Sequence, residues 1–135
     1  MQSNDDTINV YTDGACRGNP GPAGIGFVLK WRGHTKELSE YIGHATNNIA
    51  ELTAILKALH TIKNKKKTVV MYTDSSYAHG VLTKGWKVRA NKALIHEIRK
   101  EMGLFKDLRI VKVEGHAGIL ENERADRLAR DAIES

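Results

Sequence analysis

The sequence predicts an α/β fold in which helices flank a five-stranded mixed sheet, three antiparallel strands followed by two parallel ones. Two observations predict it. The first part of the chain alternates apolar and polar side chains in runs joined by short connections, which is typical of an antiparallel meander. The rest alternates helical periodicities with short apolar runs, which is typical of crossover units. Because no linker or repeat interrupts residues 1–135, we expect a single domain with residues 1–6 as a flexible N-terminus.

The sequence indicates some strands of the predicted meander more clearly than others. The first alternates two sets of side chains, Ile8, Val10 and Thr12 against Asn9, Tyr11 and Asp13. Both prolines lie in a turn-rich segment predicted from Gly14 to Gly24. A second strand is expected from Gly26 to Trp31 and a weaker third from Lys36 to Ile42.

A long helix is predicted next, capped by Asn47 or Asn48. Its apolar face repeats at helical spacing through Leu52, Ile55, Leu56, Leu59 and Ile62. The next elements predicted are a buried strand over Val69–Thr73, a short helix over Ser75–Thr83 capped by Asp74 or Ser75, and a helix that begins at Asn91. A strand is then predicted over Leu108–Val113. The last element is a terminal helix over Glu121–Ile133, whose inward face carries Ala125, Leu128, Ala129 and Ala132.

Composition limits the classes of function. The net charge of +5 and the pI near 9.4 suit a polyanionic partner. The sequence has neither the roughly 18 consecutive apolar residues of a membrane span nor a signal-peptide pattern, so we expect a cytoplasmic protein without membrane contact. Cys16 is the one cysteine, which excludes an internal disulfide, and we expect its thiol to be buried. The lysines of Lys63–Lys67 indicate a solvated loop.

Two aspartates follow similar strands, Asp13 after Val10-Tyr11-Thr12 and Asp74 after Met71-Tyr72-Thr73. A single Asp in such a place is usually a turn former or a helix cap. Two that leave neighbouring strands at the same edge repel each other, and a divalent cation neutralises that repulsion.

Three further residues each allow two interpretations. Glu51 lies in the first turn of the long helix. It is either stabilised there by the positive N-terminal end of the helix or points toward the sheet. Asp126, near the inward face of the terminal helix, is either solvated and salt-bridged or part of an acidic site. His116, between Gly115 and Gly118, is either structural or a proton shuttle on a mobile loop.

The ordered set of motifs resembles the type 1 ribonucleases H, and in particular their single-domain bacterial and archaeal members without a basic protrusion. The resemblance covers about Thr7 to Ile133. It is carried by Thr12-Asp13-Gly14-Ala15-Cys16, Gly18-Asn19-Pro20-Gly21-Pro22, Thr46-Asn47-Asn48 with Glu51-Leu52, Thr73-Asp74-Ser75, Gly115-His116-Ala117-Gly118, and Glu121-Asn122-Glu123-Arg124 with Asp126.

This resemblance implies a ribonuclease H-like fold and an endonuclease that hydrolyses the RNA strand of RNA–DNA hybrids. Asp13, Glu51, Asp74 and Asp126 would hold two Mg²⁺ ions, with Mn²⁺ as a substitute, and His116 would assist catalysis. The implied products carry a 5′-phosphate and a 3′-hydroxyl. The enzyme would act without sequence preference, as a monomer and without a small-molecule cofactor.

The resemblance also implies the substrate contacts, in which 2′-hydroxyls distinguish RNA from DNA. The residues that the resemblance implies as substrate contacts are Gly14, Cys16, Asn19, Thr46, Asn47, Asn48, Ser75, Trp86 and Lys87. The Asn pair could instead cap a helix, and Trp86 is by residue type more often a core residue. The chain departs from many relatives in lacking a Lys-rich insertion near Trp86, so Lys84, Lys87, Arg89 and Lys92 would form a smaller basic surface.

Three alternatives remain at the level of sequence. A non-catalytic hybrid-binding module is disfavoured because all four carboxylates are present. A ribonuclease H domain detached from a reverse transcriptase is mildly disfavoured by Met1 and the self-contained ends. Another nuclease of the same fold is disfavoured by the Asn47-Asn48 and Gly115–Gly118 motifs.

Overall fold

The computed structural model describes residues 6–114 and 119–134, which form one five-stranded sheet and four helices. In chain order the elements are β1 (Ile8–Cys16), β2 (Gly21–Trp31), β3 (His34–Ala45), α1 (Asn47–Thr61), β4 (Thr68–Thr73), α2 (Ser76–Thr83), α3 (Lys92–Met102), β5 (Asp107–Lys112) and α4 (Leu120–Glu134). The strand order is β3-β2-β1-β4-β5. β2 runs antiparallel to both neighbours, and β4 runs parallel to β1 and β5, which confirms the predicted mixed sheet.

Helices cover both faces of the sheet. The larger core joins α1, α2 and α3 to one face and includes Val10, Phe27, Leu59 and Met71. The predicted apolar faces of α1 and α4 are confirmed, since the residues named for them are buried: Leu52, Ile55, Leu56, Leu59, Ile62, Ala125, Leu128, Ala129 and Ala132. α4 packs against β1, β2 and β3. Among the described residues, no helix is both long enough and apolar enough to cross a bilayer.

The strands continue through much of the segment predicted as turns. β1 and β2 remain paired as far as Cys16 and Ala23, so the Gly14–Gly24 turn prediction was wrong in extent. The pairing depends on tertiary packing that local sequence does not reveal. At Gly26, a Cβ would lie 2.6 Å from the carbonyl oxygen of Ala125, so glycine allows the α4 backbone to pack directly on β2.

The helix caps differ from the predicted ones. The Thr46 hydroxyl caps α1 by accepting the Ile49 N–H at 3.1 Å, so the assignment of Asn47 or Asn48 as the cap was wrong. Of the two candidates for α2, Ser75 is the cap. Asn91 precedes α3 in a left-handed conformation with no side-chain cap bond.

Candidate active site

The site lies where β1 extends beyond the end of β4. The last parallel pair joins Tyr11 to Tyr72, and two residues further along the chain stand Asp13, within β1, and Asp74, just after the end of β4. Glu51 reaches the same place from α1. One carboxylate oxygen from each of these three residues lies within 4.8 Å of the others. The structure therefore brings together three of the four carboxylates singled out in the sequence.

A glycine allows α1 to approach β1 this closely. A Cβ on Gly14 would lie 2.5 Å from the carbonyl carbon of Ala50 and 2.6 Å from the Glu51 nitrogen. The Gly14 N–H donates to Asp13 Oδ1 at 2.9 Å and to Glu51 Oε1 at 3.1 Å. Glu51 is the fifth residue of α1 rather than part of its first turn, and it is buried. It leans into the site instead of serving as an exposed helix-terminal acid.

The crowding of the carboxylates shifts their proton affinities. Burial raises the pKa of Asp13 above its ordinary value, and the charges of Glu51 and Asp74 raise it further. Burial and the charge of Asp74 also raise the pKa of Glu51, against the lowering effect of hydrogen bonds from Gly14 and Asp13. Without a bound cation, the raised pKa values favour protonated carboxyl groups in the cluster. A divalent cation can displace these protons and neutralise the carboxylates.

Asp126, the fourth carboxylate, lies beside this cluster. It lies close to Asp13 and helps to raise the pKa of that carboxyl. With Asp13, Glu51 and Asp74 it lines a cavity of about 200 Å³. It also accepts hydrogen bonds from Arg130, so the salt-bridged and acidic-site interpretations of Asp126 both describe the structure.

Other residues of the cavity went unpredicted. Glu114, Asn122 and Glu123 also line it. Asn122 and Glu123 precede Asp126 by about one helical turn, a spacing that offered a usable signal. Among the described residues, Asn122 Oδ1 is buried without a hydrogen-bond partner. His116 and its flanking glycines lie outside the described residues.

All but one of the predicted substrate contacts fall into two groups. The first surrounds the start of α1, where Asn19 Oδ1 accepts the Asn47 N–H at 2.9 Å and both Asn47 and Asn48 are exposed. Beside it, the half-buried Cys16 thiol donates to the Ala45 carbonyl at 3.0 Å, so the expectation of a buried thiol was wrong. Ser75 lies apart from this group as the cap of α2.

The second group surrounds Trp86, whose ring packs over Gly80 yet remains 46% exposed. The expectation drawn from residue type, that this Trp belongs to the core, was therefore wrong. The neighbouring cationic side chains are all exposed: Lys84, Lys87, Arg89 and Lys92. None of these residues lines the carboxylate cavity, so they form a separate basic and aromatic surface.

The fold and the carboxylate cluster together define a candidate metal-dependent enzyme. Hard oxygen ligands at the carboxyl end of a strand, in a cavity with few apolar groups, suit a small divalent cation.

Comparisons with known proteins place this enzyme in a family. The RNase H family model matches residues 5–134. A ribonuclease H of Desulforamulus reducens is 45% identical, over 96% of this chain and 91% of that protein. A ribonuclease H of Maricaulis maris is 40% identical, over 94% and 93%. The chain belongs to the RNase H family and is a hydrolase of the ribonuclease H class.

Solved structures agree with this assignment. RNase H1 of the halophilic archaeon Halobacterium salinarum superposes with a TM-score of 0.84 at 34% identity, over 95% of this chain and 98% of that one. LC11-RNase H1, solved in complex with an RNA/DNA hybrid, gives a TM-score of 0.80 at 34% identity, over 94% and 96%.

Proposed function

We propose that this enzyme cuts the RNA strand of RNA–DNA hybrids endonucleolytically, leaving a 5′-phosphate and a 3′-hydroxyl. The observation that carries the proposal is the cluster of Asp13, Glu51 and Asp74 oxygens within 4.8 Å, in a chain of the RNase H family. The hybrid as substrate is supported by its presence in the complex of the similar LC11-RNase H1.

The donor set fits divalent cations. Asp13 and Glu51 are buried carboxylates with raised pKa values, and all the donors are hard oxygens. Asp13, Glu51, Asp74 and Asp126 would hold two Mg²⁺ ions, and Mn²⁺ could replace them. Bound there, such ions would lower the pKa of the attacking water and neutralise the leaving 3′ oxygen.

The protein's own groups orient the carboxylates and move a proton. The Gly14 N–H fixes Glu51 beside Asp13, so the cluster is pre-organised by the backbone. His116, which lies outside the described residues, is proposed to transfer a proton at the reaction centre or to help product release.

Substrate selection is proposed to use sugar and phosphate contacts. Exposed Asn47 and Asn48, with the backbone near Gly14 and Cys16, would contact 2′-hydroxyls in the hybrid minor groove. Asn19 and Thr46 would hold a phosphate of the DNA strand, and Ser75 would contact the RNA. Because such contacts carry no base information, cleavage would be independent of sequence.

The Trp86 surface would bind the hybrid at a distance from the cut. Trp86 and Lys87 are exposed beside three further cations, which suits stacking and phosphate contact. We also propose that the enzyme acts in the cytoplasm as a monomer and without a small-molecule cofactor.

The test is a gel assay of labelled RNA–DNA hybrid, double-stranded RNA and double-stranded DNA, each with Mg²⁺, Mn²⁺ or a chelator. The proposal predicts internal cuts only in the RNA of the hybrid and only with a divalent ion. Cleavage in chelator, or equal cleavage of the three duplexes, would contradict it. Binding of the hybrid without any cleavage would favour a non-catalytic hybrid-binding module.

A further inference from the structure

Asp126, one of the predicted metal ligands, shares its carboxylate with a cation of the protein. Arg130 Nε donates to Asp126 Oδ2 at 3.0 Å, and Arg130 Nη2 lies 2.8 Å from the same oxygen. The two residues are four apart on α4, a spacing that places them on one helix face. Arg130 thus engages one oxygen with two donors.

The position of Asp126 explains how it can serve two groups. Asp126 lies in the wall between the carboxylate cavity and a second cavity of about 700 Å³, whose lining includes Arg124, Arg127 and Arg130. On one side it lines the carboxylate cavity with Asp13, and on the other it binds Arg130. Its oxygens are absent from the tight cluster that Asp13, Glu51 and Asp74 form.

We propose that Arg130 is a positioning residue that acts through Asp126 to weaken divalent-ion binding in the substrate-free enzyme. The guanidinium occupies Asp126 Oδ2 and offsets its charge, so an incoming ion has to compete with Arg130 for this carboxylate. The inference rests on the proposed function, because it assumes that Asp126 serves as a metal ligand. It explains why the fourth carboxylate stands apart from the other three.

The experiment is calorimetric titration of Mg²⁺, and separately Mn²⁺, into substrate-free protein. Arg130→Gln is expected to bind the ion about three- to tenfold more tightly than wild type, since it frees Asp126 and removes a nearby positive charge. Arg127→Gln is the matched control, because Arg127 is an exposed cation on the same helix with no ion pair among the described residues. Its affinity is expected to stay within about twofold of wild type.

Two further variants test whether Arg130 acts through Asp126. Arg130→Lys retains the charge and is expected to keep an affinity within about twofold of wild type. On an Asp126→Asn background, Arg130→Gln is expected to give no gain, because the shared carboxylate is already neutral. A gain of the same size on that background would show that Arg130 acts through its field alone and would overturn the inference.

Failure of the inference can be distinguished from failure of the proposed function. If Arg130→Gln and Arg127→Gln bind the ion equally well while Asp13→Asn binds it poorly, the role of Arg130 is wrong and the metal site stands. If Asp13→Asn binds the ion as wild type does, the metal site itself is wrong. Arg130 is more than half exposed, so its loss leaves the core intact, and unchanged thermal unfolding of the Arg130 and Arg127 variants in chelator checks this.

Discussion

The carboxylates of the cavity and those of the surface beside α4 are held in opposite ways. On the surface, Arg124 donates twice to Glu37 and Lys30 donates to Glu121, and these contacts lower the pKa of both carboxyls. In the cavity, burial and neighbouring carboxylates raise the pKa of Asp13. The surface acids are neutralised within the protein, whereas the pKa values of Asp13 and Glu51 are raised by burial and by neighbouring carboxylates, which a cation from outside can offset.

The two sets of carboxylates therefore differ in how they affect stability. An exposed ion pair contributes little to stability because solvent screens it. A buried group of like charges destabilises the fold until something neutralises it. The site should therefore lower the free energy of unfolding of the metal-free enzyme, and changes there should have large effects that surface changes lack.

The largest effect is expected from Asp13→Asn. The variant keeps the shape of the side chain but loses an anionic ligand, so hydrolysis of the hybrid should fall at least about 100-fold while hybrid binding survives. Initial rates on labelled hybrid and a binding titration measure the two properties. Asp131→Asn, at an exposed position on α4, is the control and should retain wild-type turnover. Full turnover by Asp13→Asn would contradict the metal assignment.

A smaller effect is expected from His116→Ala, because removing a proton-transfer group slows a metal-assisted reaction without abolishing it. We expect turnover to fall about ten- to 100-fold. Rates measured from about pH 6 to pH 9 test this, with His96→Ala on the exposed side of α3 as control. A variant that matched wild type across that range would exclude a proton role.

Gly14→Ala is expected to affect stability and activity together. Its Cβ would collide with the backbone of Ala50 and Glu51, so α1 has to move away from β1. We expect a loss of about 1–3 kcal/mol in the free energy of unfolding, measured by denaturant titration. Gly103→Ala is the control, since its Cβ would meet only ordinary contacts from 3.5 Å. Equal stability of the two variants would contradict the close approach.

The smallest effect is expected from Glu121→Gln on the surface. The variant weakens the 3.0 Å contact with Lys30, which is screened by solvent. The free energy of unfolding should change by less than about 1 kcal/mol. A larger loss in the free energy of unfolding, measured by the same denaturant titration, would contradict the expected difference between the surface ion pairs and the cavity carboxylates.

The sequence was most informative where local pattern and topology agree. Asp13 and Asp74 stand after similar sequence patterns, and the parallel pairing of β1 and β4 brings the two residues to one place, as the pattern indicated, although β1 continues past Asp13. The length of β1 and β2 was not predictable, because glycines that normally mark turns here allow helices to pack closely. The contact of Arg130 with Asp126 was also missed, because an i,i+4 pair alone does not distinguish a site from an ordinary surface pair.

The pH dependence of stability follows from the raised pKa values. A carboxyl with a raised pKa in the folded protein stabilises the fold most below its unfolded-state pKa of about 4. That contribution is lost as the pH rises toward the raised values of Asp13 and Glu51. Between about pH 5 and pH 8, the metal-free enzyme should therefore lose stability, and a divalent ion should restore it.

The most direct test is thermal unfolding of wild type and Asp13→Asn between those pH values, in chelator and in Mg²⁺. In chelator, wild type should lose stability with rising pH more steeply than Asp13→Asn, and near pH 8 it should be the less stable protein. Mg²⁺ should raise the Tm of wild type by more than that of the variant. The difference in Tm between the two proteins near pH 8 should therefore become smaller or change sign. Equal pH slopes and equal responses to Mg²⁺ would contradict a cluster of mutually repelling carboxylates that awaits a cation.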